Sequence, residues 1–353
     1  MKKTIAILSG DGVGPEIIEQ SKKILETIAE KFGHTFIFET GLIGAVAIDE
    51  TGNPYPDKTH KLCISSDAIL FGAIGDPKYD NDPSAKVRPE QGLLKMRKEL
   101  GLYANVRPIF TFKKLLPSSP LKEEIIKNTD FVVIRELIGG IYFGKRGRNK
   151  NRTSAFDTSE YSKTEIQRIA KYAFQLAQKR KNKLTVVDKA NVLETSRLWR
   201  ETIQKMEKDF PNVIVNYMFV DNASMQIIKR PSEFDVIVTE NMFGDILTDE
   251  ASVITGSLGM LPSASIGEKT AVYEPIHGSY PKAAGQNIAN PIGSILSAAM
   301  LLEYSFGLKR ESETIYKAVE KVIDQGLGTK DLNLNKTVGT KELGAKIASL
   351  IRK

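Results

Sequence analysis

The chain has 353 residues, of which 41% are hydrophobic and 26% charged, enough to bury a sizeable core in about two domains and too apolar for a disordered chain. Fifty Lys and Arg against 43 Asp and Glu leave a formal charge of +7, which favours small anionic ligands without the concentrated charge of a nucleic-acid binder. A single cysteine, Cys63, excludes an internal disulfide, and with only three histidines (His34, His60, His277) a Cys-rich zinc site cannot be built, so any metal is expected to be hard and oxygen-bound.

Short β-branched runs alternate with longer amphipathic segments, the pattern of strands joined by crossover helices in a largely parallel α/β sheet. The apolar stretch from Ile5 to Leu8 is interrupted by Ser9-Gly10-Asp11-Gly12 and reads as a strand, not a signal peptide. Further strands are predicted at 36–40, 68–72, 131–136, 184–188, 213–220 and 235–239, the first one covering 4–8. Helices are predicted at 15–32, with Pro15 in the first turn, and at 164–181, 191–209 and 291–306. The most apolar segment, 295–302, is far shorter than the roughly 20 residues that cross a bilayer. The protein is therefore expected to be soluble, off the membrane and, with a free thiol, cytoplasmic. No repeat or low-complexity linker separates two halves. The irregular stretch 142–158 crowds Lys145, Arg146, Arg148, Lys150 and Arg152 between glycines and asparagines. With no aromatic residue interleaved among those cations, it reads as a solvated or subunit-crossing arm and not as a nucleic-acid surface.

Three groups of residues could carry chemistry. In Asn241-Met242-Phe243-Gly244-Asp245-Ile246-Leu247-Thr248-Asp249, a helix starting near Gly244 would project Asp245 and Asp249 from one face. That pair suits Mg²⁺ or Mn²⁺, and equally suits two carboxylates complementing a helix N-terminus; Asp221 is a possible third carboxylate. Arg97, Arg107 and Arg135 each lie beside an apolar or strand-like segment. Guanidiniums grip carboxylates in pairs of bonds, so three would hold a dicarboxylate; each taken singly is also compatible with a surface ion pair. Lys189, at a strand end, and Tyr142, in Gly139-Gly140-Ile141-Tyr142, would suit a base whose pKa is lowered by neighbouring cations and a proton donor. A strand-end lysine and a packed aromatic are the alternatives. Gly10-Asp11-Gly12-Val13-Gly14-Pro15 could take a phosphate on its backbone amides, but it lacks the glycine spacing of the Rossmann fingerprint. The polar stretch 274–291 reads as a binding loop.

Six segments taken in order (10–16, 89–108, 135–144, 187–200, 239–249 and 274–291) resemble the isocitrate/isopropylmalate family of β-decarboxylating dehydrogenases from end to end, its isopropylmalate branch most closely. The resemblance implies two α/β domains on a shared mixed sheet with a non-Rossmann nucleotide site. Residues 1–102 and 253–353 would form the cofactor-side domain, and 103–252 the dimerisation and substrate domain with the arm near 142–158. It assigns catalysis to Tyr142 and Lys189, and substrate carboxylates to Arg97, Arg107 and Arg135. Glu90, Leu93, Leu94, Val192 and Asp221 would complete the substrate site, the leucines meeting an isopropyl group. The metal, Mg²⁺ or Mn²⁺, would be held by Asp245 and Asp249 with Asp221 from the second subunit of a homodimer. The nucleotide would meet Val13, Glu274, His277, Gly278, Ser279, Lys282, Ala289 and Asn290. Lys282 stands where NAD-using members usually carry an aspartate, and it is the residue type that NADP-dependent isocitrate enzymes use. Ala283 follows it in place of their tyrosine, and 326–331 lacks their tyrosine and arginine, so NAD is the expected cofactor. The reaction implied is oxidative decarboxylation of 3-isopropylmalate in leucine biosynthesis.

Overall fold

The computed structural model describes every residue except Pro83. Its principal strands are β1 (Lys2–Gly10), β2 (Thr35–Thr40), β3 (Ala68–Ala73), β4 (Ala104–Phe110), β5 (Asp130–Glu136), β6 (Arg146–Arg148), β7 (Ala155–Asp157), β8 (Lys183–Asp188), β9 (Ile214–Phe219), β10 (Val236–Thr239), β11 (Pro262–Ile266) and β12 (Ala271–Pro275). The chain forms two compact units: Met1–Leu102 with Phe112–Ser119 and Thr255–Lys353, and Tyr103–Thr111 with Pro120–Ile254.

In the first unit the strand order is β2-β1-β3-β12-β11. The first four strands run parallel and β11 closes against β12 in an antiparallel pair. Helix Gly14–Phe32 begins with Pro15, whose missing N–H costs nothing at a helix start, and ends at Gly33 in the left-handed region (φ 71°). Helix Ile292–Tyr304 is buried from Ile292 through Leu302. It is apolar on all sides because protein surrounds it, and each large aliphatic side chain it buries contributes about 1.5 to 3 kcal/mol. Its buried hydroxyls are paired, Ser294 receiving the Ser21 hydroxyl at 2.7 Å and Ser297 donating to Gly293 O at 2.8 Å.

In the second unit the order is β4-β5-β10-β8-β9, parallel except for the antiparallel pair β4 and β5. Helices Lys163–Gln178, Glu194–Met206, Val220–Lys229 and Asn241–Ser252 complete it. The Ser162 side chain caps the first of these, and Glu165 returns the bond to the Ser162 amide. Within the basic stretch, β6 and β7 pair as an antiparallel hairpin whose Phe156 is 57% exposed. Among the described residues, no helix is long and apolar enough to cross a membrane.

Three expectations are corrected here. The helix expected from residue 191 starts at Glu194, because the amides of Val192 and Leu193 both close onto Lys189 O at 2.9 Å. The helix expected near Gly244 starts at Asn241. Asp245 and Asp249 therefore lie beyond its first turn, which removes the helix N-terminus as the reason for two aspartates. Glu274 belongs to β12 and not to a loop.

The Gly10–Pro15 turn is held by Asp11, which is 6% exposed. Its carboxylate accepts the amides of Ala45 (2.9 Å), Val46 (3.0 Å) and Gly75 (2.9 Å). Asp11→Ala would strand three amide donors, two of them buried, at roughly 1 to 3 kcal/mol for each that water cannot reach. Urea denaturation should show a loss of at least about 2 kcal/mol; an unchanged midpoint would contradict this account.

Candidate active site

In the second unit two buried arginines meet on neighbouring strands. Arg135 is the next-to-last residue of β5 and sits opposite Asn105 of β4, and Arg107 of β4 sits opposite Val133. Their side chains are 2% and 8% exposed. Arg107 donates through Nε to Asn105 Oδ1 (2.6 Å) and through Nη1 to Thr248 Oγ1 (2.5 Å). Arg135 donates through Nη1 to Asp245 Oδ1. Arg107 lies 3.9 Å from Asp245 and 3.8 Å from Asp249. Gly244 is what lets the helix pass over Arg135, since a Cβ there would lie 2.7 Å from the arginine Cβ and Cγ.

Tyr142 closes the 3-10 turn Gly140–Tyr142 and donates its hydroxyl to Asp245 Oδ2 at 2.8 Å. Burial first, and then this bond to a carboxylate, raise the Tyr142 pKa, while Arg135 and Arg107 oppose the rise. The site therefore keeps the phenol protonated and able to donate. Desolvation and the like charge of Asp245 raise the Asp249 pKa against the pull of Arg107. Two carboxylates four residues apart on one helical face, with repulsion between them, are a donor set suited to a hard divalent cation. Among the described residues, no group of three or more His, Cys, Asp or Glu in the single chain is placed to hold a metal.

Lys189, directly after β8, and Asp221, in the first turn of Val220–Lys229, form a second pair: Nζ donates to Oδ1 at 2.7 Å. That bond lowers the Asp221 pKa. Within one chain the partner of Lys189 is thus a carboxylate, where the sequence suggested neighbouring cations. Val192, in the turn that follows, is 60% exposed.

In the first unit, helix Pro89–Glu99 carries Glu90, Leu93, Leu94 and Arg97, spaced so that they share one face. Glu90 is exposed, Leu93 and Leu94 are half-buried and Arg97 is buried. Arg97 Nη2 donates to Glu274 Oε1 at 3.1 Å, and Arg97 Nε is buried without a partner. Glu274, expected at the nucleotide, is in this structure the anion that holds Arg97.

Five of the remaining nucleotide candidates, Val13, His277, Gly278, Ala289 and Asn290, line a cavity of about 700 Å³. His277 Nδ1 donates to Gly278 O at 2.9 Å, which leaves Nε2 as an acceptor in the neutral ring. That Nε2 is buried without a partner, and burial lowers the His277 pKa. A ligand offering an N–H or O–H fits such a wall. Ser279 is buried and Lys282 exposed; neither lines the cavity. The phosphate reading of the Gly10–Pro15 amides is corrected: Asp11 N, Val13 N and Gly14 N already donate to Ala73 O, Ser279 O and Asp11 O, at 2.9, 2.8 and 2.9 Å. Sequence reasoning missed Ser257, Ile288 and Asp331 in the cavity wall, and Asn105, Thr248 and Asn241 around the arginines. Uncharged partners brought in from other strands and helices leave no signal of their own in a sequence.

A family model described as isocitrate/isopropylmalate dehydrogenase matches residues 4–347. A 3-isopropylmalate dehydrogenase of Bacteroides fragilis is 55% identical over 351 residues, 99% of each chain. That of Aquifex aeolicus is 53% identical, covering 98% of this chain and 97% of its own. Among solved structures, an isocitrate dehydrogenase from Methylococcus capsulatus superposes with a TM-score of 0.89 at 31% identity, over 99% of this chain and 100% of the other. A β-decarboxylating dehydrogenase from Thermococcus kodakarensis, in its apo form, gives 0.81 at 33% identity over 99% and 96%.

Glu136, the last residue of β5, is fully buried and accepts the amides of Gly139 (2.7 Å) and Ile138 (3.2 Å) below the Tyr142 turn. Burial pushes its pKa up to about 7. The folded state therefore holds a proton that the unfolded state has lost between about pH 4.5 and 7, so this group's contribution falls as pH rises through that window and levels off above it. Glu136→Gln should flatten the decline, a difference on the order of 2 kcal/mol between pH 5 and 7.5 in chemical denaturation; equal slopes in both proteins would refute the assignment.

Proposed function

Because the chain belongs to the isocitrate/isopropylmalate dehydrogenase family, we propose that it is an NAD-dependent oxidoreductase of leucine biosynthesis that converts 3-isopropylmalate to 4-methyl-2-oxopentanoate and CO₂. The observation that carries this reading is identity of 53 to 55% with relatives named 3-isopropylmalate dehydrogenase over nearly the full length of each chain. Leu93 and Leu94, half-buried on the helix that carries Arg97, support the same substrate. Burying an isopropyl group against leucines contributes about 1.5 to 3 kcal/mol, whereas the third carboxylate of isocitrate would meet no partner from them.

We assign the two substrate carboxylates to Arg97, Arg107 and Arg135, with Glu90 and Val192 completing the substrate contacts. Lys189 takes the proton from the substrate hydroxyl as its carbon gives up a hydride. The C–C bond to the β-carboxylate then breaks, CO₂ leaves, and the hydroxyl of Tyr142 returns a proton to the resulting enolate carbon. Asp245 and Asp249, with Asp221 of the partner subunit, would hold Mg²⁺ or Mn²⁺, which would supply Lewis acidity toward the substrate oxygens. Val13, His277, Gly278, Ala289 and Asn290, which line the cavity, and Glu274, Ser279 and Lys282, nearby in sequence, would hold NAD, which would supply the hydride acceptor. A homodimer in the cytoplasm is part of the same reading, with Lys189 and Asp221 serving the neighbour's site. Exposed apolar residues support it: Met225 and Ile246, on helices that pack together, are 54% and 59% exposed, and Val192 is 60% exposed. The domain roles are proposed likewise: cofactor side for 1–102 and 253–353, dimer and substrate side for 103–252.

Three experiments test this. With 3-isopropylmalate, Mn²⁺ and NAD the protein should reduce the cofactor, and chelator should abolish the signal. Lys189→Met should lower kcat by at least a thousandfold in a protein that remains folded, and full turnover by that variant would remove Lys189 as the base. Comparing kcat/KM for the two dinucleotides tests the cofactor. NAD should be favoured at least tenfold despite Lys282, and a tenfold preference for NADP would reverse the choice.

A further inference from the structure

Arg135 can recognise a carboxylate only if its guanidinium is held in one orientation and keeps its charge. We propose that Asn241 is the positioning residue that meets both requirements, fixing Arg135 and the Tyr142 turn with one uncharged side chain. The inference rests on reading Arg135 as a ligand of the substrate.

Asn241 opens its helix and is 1% exposed. Its Oδ1 accepts from Arg135 Nε (3.0 Å) and Nη2 (2.8 Å), and its Nδ2 donates to Gly139 O (3.1 Å). The amide orientation follows from the partners, because a guanidinium can only donate and a carbonyl can only accept. Gripping one guanidinium edge by two bonds is what a carboxylate usually does. A carboxylate at this position would cancel the charge of Arg135 and set an anionic oxygen against Gly139 O. The amide provides the grip without a formal charge, so the attraction of Arg135 for Asp245 and for an incoming anion is retained.

The bond to Gly139 joins this grip to the proton donor. Gly139 N-caps the turn Gly140–Tyr142, and Tyr142 donates to the same Asp245 that Arg135 contacts. Tyr161 packs against Gly139 and Gly140 of the turn, and its hydroxyl accepts the backbone N–H of Asn241 at 2.9 Å. A Cβ at Gly140 would lie 2.3 Å from the Tyr161 hydroxyl oxygen, so the turn has one seat. The four bonds made by Asn241 are all buried, so water does not readily replace them.

Asn241→Asp is the nearest variant in shape. Steady-state kinetics with 3-isopropylmalate should show its KM for the diacid raised at least tenfold, with KM for NAD changed less than twofold and the melting temperature within a few degrees of wild type. In an Arg135→Met background, Asn241→Ala should add less than twofold to the Kd for 3-isopropylmalate measured by titration calorimetry, since the two residues act as one unit. An unchanged diacid KM in Asn241→Asp, equal rises for diacid and NAD, or full multiplication of the two effects in the double variant would overturn the proposal. So would an Asn241→Asp protein that fails to fold, because the residue would then be structural. Wild-type protein that turns over no 3-isopropylmalate refutes the functional reading and this inference with it; wild-type turnover beside an unmoved Asn241→Asp KM refutes this inference alone.

Discussion

Burying two guanidiniums is the constraint around which the second unit is arranged. Arg107 and Arg135 are almost wholly removed from water, and a buried charge without partners is strongly unfavourable. Two elements compensate them: β4 supplies Asn105, and helix Asn241–Ser252 supplies Asn241, Asp245 and Thr248, with Gly244 giving room for the Arg135 stem. Opposite unit charges about 4 Å apart attract by roughly 4 kcal/mol at the effective dielectric typical near a protein surface, a figure that solvent screening reduces for Asp245, 36% exposed. The attraction is much smaller toward Asp249, whose carboxylate is two-thirds exposed. The result is a rigid cationic floor with an acidic rim, a pattern suited to an anion and a divalent cation side by side.

The first unit solves a different problem. Its opening turn has the appearance of a phosphate cradle, yet the amides of Asp11, Val13 and Gly14 are already committed to protein carbonyls and Asp11 ties the turn to two further backbone segments. The turn therefore acts as a wall. Val13 packs with Ile17, Ala283 and Ala289, and together with His277 it bounds the cavity where one ring nitrogen stays without a partner. Recognition in that cavity would rest on shape and a few directed polar atoms, in keeping with the absence of a Rossmann fingerprint from the sequence.

Strands with unbroken apolar runs were legible in the sequence to within one or two residues at each end, β3, β5 and β8 among them, because burial on both faces leaves no alternative pattern. Apart from the short, largely exposed hairpin of β6 and β7, the strands that were not legible are ones in which polar residues are buried for a reason. β4 carries Asn105 and Arg107, and β11 begins with proline and alternates serines. Ser263 is satisfied by Glu274 O at 3.0 Å, a partner that no local pattern announces.

By itself the sequence determined the α/β class, the family, and the residue types available for chemistry, since strand and helix periods and six ordered motifs are properties of the chain alone. Only the tertiary structure decided which of those residues meet: that Asp245 joins Arg135 and Tyr142, that Glu274 faces Arg97, and that Asn241 links Arg135 to the Tyr142 turn. Orientation and compensation of buried charge depend on groups more than a hundred positions apart, and spacing along a chain does not encode such distances.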